Sequence, residues 1–481
     1  MYLGLDLGTS GLKALLIDGA GEPVASATAP LTVQRPHPGW SEQRPADWIA
    51  ACEAAIGELA RERDLSGVRG IGLSGQQHGA TLVGADDEPL RPCMLWNDTR
   101  AYAEAAAMDA DPAFHRVTGN TIFPGFTAPK VEWVRLNEPD VWAATDGVLL
   151  PKDYLRLWLT GERASDMSDA SGMGWLDIGA RDWSAELLDI THMRPEQMPR
   201  LVEGTEPSAA LRGELAARWG MGGSVVVAGG AGDNAAAACG LGIVAPGPAS
   251  LSIGTSGVVF AATAEHRPAP ETAVHAFCHA VPGMWHQMSV HLSATDCLEW
   301  LARTLDASAA DLAASAATDI DAHAPIFLPY LGGERTPHVD AGARGAFIGI
   351  AHETDRAALA TAVMEGVAMA FRDGLDALAG AGTQPDRLVA VGGGTRSEAW
   401  LRVAADTLRL PIDVPTGSEL GAALGAARLG MIAATGAAPA SACRPPAVAR
   451  TVEPREDAMR SQGERHARFQ ELYRAVAHWR S

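Results

Sequence analysis

The sequence predicts an α/β protein built as two similar lobes. Three observations carry this: strand-period and helix-period stripes alternate along the chain, one glycine-rich hairpin occurs twice, and each half holds a strand–glycine–helix segment. Leu3–Asp18 reads LGLDLGTSGLKALLID, and Ala249–Ala262 reads ASLSIGTSGVVFAA. In both, a short apolar strand enters GTSG and a second apolar strand leaves it. The loops start at Gly8 and Gly254, 246 residues apart in a chain of 481. A repeat on that scale reads as duplication of a structural unit.

The elements follow in order. Leu3, Leu5 and Leu7 alternate with Tyr2, Gly4 and Asp6, which is strand period. Gly8–Gly11 turns the chain, Leu12–Asp18 returns, and Gly19-Ala20-Gly21 turns it again into Pro23–Thr28. A helix is expected over Pro45–Arg63, with proline in its first turn and Trp48, Cys52, Ile56 and Leu59 on one face. Val68–Ser74 reads as a further buried strand. Val225–Gly230 is a β-branched strand running into Gly229–Asn234 and an Ala-rich helix from Ala235. Leu388–Val391 runs into Gly392-Gly393-Gly394-Thr395 and a helix from about Ser397. Pro246-Gly247-Pro248 marks the lobe boundary, giving lobes over 1–245 and 246–435. The remainder, 436–481, reads as an Ala/Pro-rich linker (Thr435–Pro454) and a helix whose face Phe469, Leu472, Tyr473, Val476 and Trp479 docks on the body.

Composition narrows the function classes. Basic residues number 38 and acidic ones 58, a net charge of −20, which favours neither nucleic acid nor an anionic membrane as partner. The longest uncharged stretch, Asn234–Ala264, is broken by glycines and prolines, so it reads as buried core and not as a bilayer span. Met1 leads straight into a strand, and the six cysteines form no CxxC; both point to reduced thiols in the cytoplasm. Of the basic residues only Lys13, Lys130 and Lys152 are lysines, and they point weakly to sites that want a compact ammonium.

Glycine hairpins expose backbone N–H groups that can cradle phosphate oxygens. Thr9, Ser10, Thr255 and Ser256 add hydroxyl donors, and Lys13 stands just beyond the first hairpin. Two such hairpins suggest a nucleotide gripped from both sides, and no Walker A pattern is present. Gly392–Gly394 suits the sugar and base end. Asp6 ends an apolar strand, so it is either a Mg²⁺ ligand acting through water or a turn-stabilising carboxylate. Asp233 is either a helix N-cap or a general base for a substrate hydroxyl. Gln76-Gln77-His78-Gly79, Trp96-Asn97-Asp98-Thr99-Arg100 and Lys152-Asp153-Tyr154 offer a polar wall for a polyol, with Trp40 and Trp96 as its aromatic surface. His275, Cys278, His279 and His286 have no second cysteine nearby, and zinc is not expected there.

Over roughly residues 1–430 the chain resembles the FGGY family of carbohydrate kinases, and within it the members that phosphorylate D-xylulose. The resemblance rests on the opening MYLGLDLGTSGLKALLID and on RPHPGWSEQ, GQQHGATL, LWNDTR, PGFTAPKVEW, LLPKDYLR, ASDMSDASG, GGAGDNAAAACG, LSIGTSGVVF, LPYLGGERTPH and VGGGTRSEAW in that order. PGFTAPKVEW is similar to the family's first signature, and Gly345–Phe371 to its second. The resemblance implies two ribonuclease-H-like lobes of the actin-like ATPase fold, with ATP and sugar in the cleft between them. It implies conversion of D-xylulose to D-xylulose 5-phosphate with ATP and Mg²⁺, by a homodimer. Asp233 would be the catalytic base and Asp6 the second carboxylate, the two flanking Mg²⁺ through water. Gln77 and His78 would line the sugar with Asn234 nearby, and Asp98 and Trp96 are added as sugar-facing from the polar clusters themselves. Thr9, Ser10, Lys13, Gly254 and Thr255 would hold phosphates, and Gly393, Gly394 and Ser397 the adenosine. One position departs: the family pattern G-Q-M-H-G has Gln77 in place of methionine. A polar side chain meeting the sugar there would shift preference toward another ketose or polyol, such as ribulose or an alditol. An actin-like ATPase without sugar turnover would lack Asp233 or the polar clusters, and both are present.

Overall fold

A computed structural model describes residues 1–417 and 420–480, without the side chains of 479 and 480, so the Trp479 side chain expected on the docking face lies outside what is described. Strands and helices below are numbered along the chain. The leucine alternation at the start gives β1 (Tyr2–Leu7), β2 (Gly11–Ile17) and β3 (Pro23–Pro30), an antiparallel meander turned by GTSG and residues 18–22. Leu3, Leu5 and Leu7 are wholly buried in one cluster with Trp48, Cys52, Ile56 and Leu59 of α1 (Pro45–Glu62). β4 (Gly70–Gly75) runs parallel to β1 and starts two residues later than Val68. β5 (Pro207–Ala210) and β6 (Val226–Ala228) extend the sheet, and β7 (Ala231–Gly232) joins the end of β4. The order is β5–β6–β4–β1–β2–β3.

The second sheet comprises β8 (Ala249–Ile253), β9 (Gly257–Thr263), β10 (His275–Cys278), β11 (Trp285–His291), β12 (Leu388–Val391), β13 (Ile412–Pro415) and β14 (Val448–Val452). Its order is β14–β13–β12–β8–β9–β11–β10. Read from β5 and from β14, the two sheets repeat the same directions over five pairings, one antiparallel, two parallel and two antiparallel, and the second sheet adds one more antiparallel pairing, β11–β10. The duplication suggested by two four-residue loops thus extends over whole sheets. Two such mixed sheets with helices on their faces are the ribonuclease-H-like lobes of the actin-like ATPase fold.

Two expectations about the second half need correction. The stretch 435–454 is not a linker: β14 is the edge strand of the second sheet, antiparallel to β13. It escaped notice because four of its five residues are exposed, so its sequence shows no apolar alternation. The helix α5 (Gly421–Thr435), placed by sequence in the second lobe, lies on the first lobe's sheet and along α2 (Asp233–Leu241). Glycine makes the approach possible: a Cβ on Gly72 would stand 1.8 Å from the Ala426 carbonyl oxygen, and one on Gly425 1.7 Å from that of Ala236. Arg428 of α5 closes the seam by donating to the carbonyls of Cys239 and Gly240 at 3.1 and 2.9 Å.

The long helix α3 (Arg356–Gly380) crosses beneath the second sheet, and α4 (Glu398–Leu408) follows β12. The last helix, α6 (Glu456–Arg480), docks as expected. Phe469 is fully buried beside Tyr330, Met369 and Ala370, and Arg465 forms a buried bidentate pair with Glu365 at 2.5–2.6 Å. No helix among the described residues is long and apolar enough to cross a membrane.

Candidate active site

The sheet topology brings two carboxylates together. β1 and β7 both flank the end of β4: Asp6 stands opposite Ser74, and Gly232 opposite Gly75. Asp233, the next residue, is therefore delivered beside Asp6. It is the first residue of α2, whose N-cap is Gly232, so Asp233 does not hold the N-cap position. Asn234 donates both its backbone N–H (2.7 Å) and its Nδ2 (2.8 Å) to Asp233 Oδ1. Oδ2 is left to accept from a substrate. Burial, then the charge of Asp6, pushes the Asp233 carboxyl up to about 7. Burial also raises Asp6, against the Ser74 hydroxyl (2.9 Å to Oδ1) and the charge of Lys13, its cross-strand partner. A base poised near neutrality is what proton abstraction from a hydroxyl requires. Two facing hard-oxygen ligands, one of them raised by the other, also suit a hydrated divalent cation.

His78 forms the neighbouring wall. Its backbone is left-handed, with φ 68°, a costly conformation for a non-glycine residue. Lys130 Nζ and Thr127 Oγ1, each at 2.9 Å, hold it there by donating to the His78 carbonyl. The ring stacks on Phe126 at 4.8 Å. Burial drives its pKa down to about 3, so the imidazole is neutral. Nδ1 lies 2.8 Å from the Gly172 carbonyl, which can only accept; Nδ1 therefore carries the hydrogen, and Nε2 offers a lone pair. The tautomer is thus assigned by the partner. Gln77 is buried and turned inward. Its amide makes a long 3.5 Å contact to the Ser168 carbonyl and packs on Gly232, where a Cβ would come within 2.6 Å of Nε2. The departure from methionine therefore acts beneath the Asp233 loop.

Three sequence expectations are redirected. Asp98 is wholly buried and spent: its oxygens accept from the Ser41 N–H (2.7 Å) and from Arg100. Trp40 lies under the Arg100 guanidinium, 3.5 Å from ring centroid to Cζ, and edge-on to Trp133. Trp96 donates from Nε1 to Thr9 Oγ1 (3.1 Å), and that hydroxyl donates in turn to Gln76 (3.0 Å). Trp96 and Thr9 thus brace the first hairpin, while Ser10 at its tip is exposed. Short charged loops gave no sign of which partner each side chain would choose.

In the second hairpin Thr255 and Ser256 are exposed, while the loop's carbonyls accept from Ala294 and Thr295. Beside it opens a cleft of about 560 Å³, lined by Gly393, Gly394, Ser397, Thr295, Glu299 and the alanines of helix Ala309–Ser315. The small residues leave a slot for a flat base. Ser397 is the N-cap of α4, accepting from Trp400 N–H at 3.1 Å, so it supports the slot's floor. The alanine wall went unread because its residues carry no distinctive chemistry.

The two unassigned lysines are wholly buried. Lys130 fixes His78, and burial lowers its pKa to about 7. Lys152 bridges Asp153, Asp166 and Asp169 at 2.5, 2.7 and 3.1 Å; burial works to lower its pKa, and the three carboxylates outweigh it and raise it. This knot lies against Gly75, under the strand ends that carry Asp6 and Asp233.

Residues 1–240 match the model of the FGGY family of carbohydrate kinases, N-terminal domain, and 249–434 that of its C-terminal domain. The xylulose kinase of Escherichia coli (strain K12) is 49% identical over 437 residues, covering 90% of each chain, and that of Klebsiella pneumoniae 49% over 436, with the same coverage. A Brucella ovis protein whose crystal structure is named a xyloylose kinase superposes with a TM-score of 0.98 at 58% identity, covering 99% of each chain.

Proposed function

The chain belongs to the FGGY family of carbohydrate kinases, and from that premise we propose that it transfers the γ-phosphoryl group of ATP to O5 of D-xylulose with Asp233 as general base. The observation that carries this reading is the Asp233 carboxyl itself, raised to about 7 and held through one oxygen by Asn234 beside the His78 wall. Substrate kinship supports the sugar, since relatives named xylulose kinase are 49% identical over 90% of the chain.

The chemistry needs little covalent participation from the protein. His78 Nε2 accepts a sugar hydroxyl and orients the chain. The backbone N–H groups of both hairpins, with Ser10, Thr255 and Lys13, hold phosphate oxygens. As O5 bonds to the γ-phosphorus and the bond to ADP breaks, Asp233 Oδ2 takes the O5 proton late in the step. Between Asp6 and Asp233 a bound, hydrated Mg²⁺ would supply charge neutralisation for the phosphates. The same reading makes the enzyme a cytoplasmic homodimer, for which sedimentation in solution is the check.

Coupled ADP release measured over D-xylulose, D-ribulose, pentitols and glycerol tests the proposal. D-xylulose is expected to give the highest kcat/KM, with little ADP released when sugar is absent. A pentitol or glycerol as best substrate would overturn the sugar assignment, and sugar-independent hydrolysis at the same rate would overturn the kinase reading.

A further inference from the structure

The Arg335 backbone is held as a fixed point, while its guanidinium is hydrogen-bonded to no group among the described residues. On its N-terminal side Glu334, itself buried, accepts from the Leu292 and Arg335 backbone N–H groups at 3.0 and 2.8 Å and faces His291 Nδ1 at 3.4 Å. On its C-terminal side the Thr336 hydroxyl donates to the Ala273 carbonyl (3.0 Å) and accepts from Val290 N–H (3.1 Å). The backbone is thus pinned to the second lobe. The guanidinium, by contrast, makes no hydrogen bond or ion pair among the described residues; it lies over Phe123, 5.0 Å from the ring centroid. Other buried arginines have acceptors: Arg100 pairs with Asp98 and Glu42, Arg156 with Asp153, Arg465 with Glu365, and Arg428 donates to the Cys239 and Gly240 carbonyls. The charge of the adjacent Glu334 offsets part of its burial, but the N–H groups of the guanidinium still lack an acceptor, and a ligand oxygen would satisfy them.

Its position selects which oxygen. Phe123 packs against Phe126, on which His78 is stacked, so Arg335 reaches across the aromatic wall of the sugar site from the other lobe. Its charge acts on His78 and His275. The charge felt by Asp233 is that of Asp6. Arg335 thus lies on the Phe123 and His78 side of the site, and with Asp233 at O5 that side takes the other end of the sugar. A 2-ketopentose closes to a furanose through O5, so O5 is free for phosphorylation only in the open chain, and the open chain carries a C2 carbonyl. A carbonyl only accepts hydrogen bonds, and guanidinium only donates them.

Resting on the kinase reading above, we propose that Arg335 is a specificity-determining residue that donates to the C2 carbonyl of the open-chain ketose. Because it belongs to the second lobe while His78 and Asp233 belong to the first, the contact forms only when both lobes hold the sugar.

The test compares wild type with Arg335→Gln and Arg335→Lys, measuring dissociation constants for D-xylulose and for xylitol (the same carbon chain without a carbonyl) together with KM for ATP. In Arg335→Gln, D-xylulose affinity is expected to fall at least tenfold while xylitol affinity and the ATP KM hold, and Arg335→Lys is expected to recover part of the loss. A shift of less than twofold for D-xylulose, or an equal loss for D-xylulose and xylitol, overturns the proposal. Wild-type protein that phosphorylates no ketose would instead sink the kinase reading, which keeps the two failures apart.

Discussion

At the scale of single residues, the chemistry was legible where a side chain broke its surroundings. Asp6 ends an apolar strand and Asp233 follows a glycine run, and both reach the site. Asp98 and Trp96 stood out equally, and their polar atoms are engaged within the chain, Asp98 by a buried N–H at Ser41 and Trp96 Nε1 by the hydroxyl of Thr9. Which of several nearby partners a polar side chain takes is decided by tertiary approach, which spacing does not encode. The raised Asp233 has a measurable consequence. Its folded value is about 7 against an ordinary 3.8, so its ionised form costs stability above about pH 7, and the cost fades as pH falls toward the ordinary value. Asp233→Asn is expected to melt higher in EDTA, by on the order of 1–2 kcal/mol at about pH 8 after discounting for solvent at the cleft, with the gain shrinking toward about pH 5. Lys152 gives the opposite case. Its ammonium is the cation facing three buried carboxylates with only Arg156 beside it. Lys152→Met is expected to cost about 3–5 kcal/mol in denaturant unfolding, because it strands buried charge.

At the scale of elements, regular apolar patterns located the strands of both hairpins and α1 to within a residue or two. β14 was missed because an exposed edge strand needs no buried stripe. The placement of α5 was missed because its information lies in small residues, whose meaning appears only when another backbone lies against them. Gly425→Ala puts a Cβ 1.7 Å from the Ala236 carbonyl oxygen, within two well-packed helices. It is expected to destabilise by at least about 2 kcal/mol, read as a lower melting temperature, since neither backbone can yield cheaply. Ser397→Ala removes the α4 cap and is expected to cost about 1 kcal/mol while raising KM for ATP, as the floor of the base slot loosens.

At the scale of the whole molecule, two copies of one sheet order are joined by the α2–α5 seam, and each copy carries one phosphate hairpin. On the proposed reading the sugar wall belongs to the first lobe and the base slot to the second, and closure of the lobes would bring the reacting groups together. D-xylulose with a non-hydrolysable ATP analogue is expected to reduce the radius of gyration in small-angle scattering; an unchanged value would rule out closure as the step that assembles the site. The central claim is that Asp233 removes the proton from the sugar hydroxyl, and turnover of Asp233→Ala tests it most directly. ADP release with D-xylulose is expected to fall about a thousandfold or more while the variant melts no lower than wild type; a folded variant that kept a tenth of the wild-type rate would contradict it.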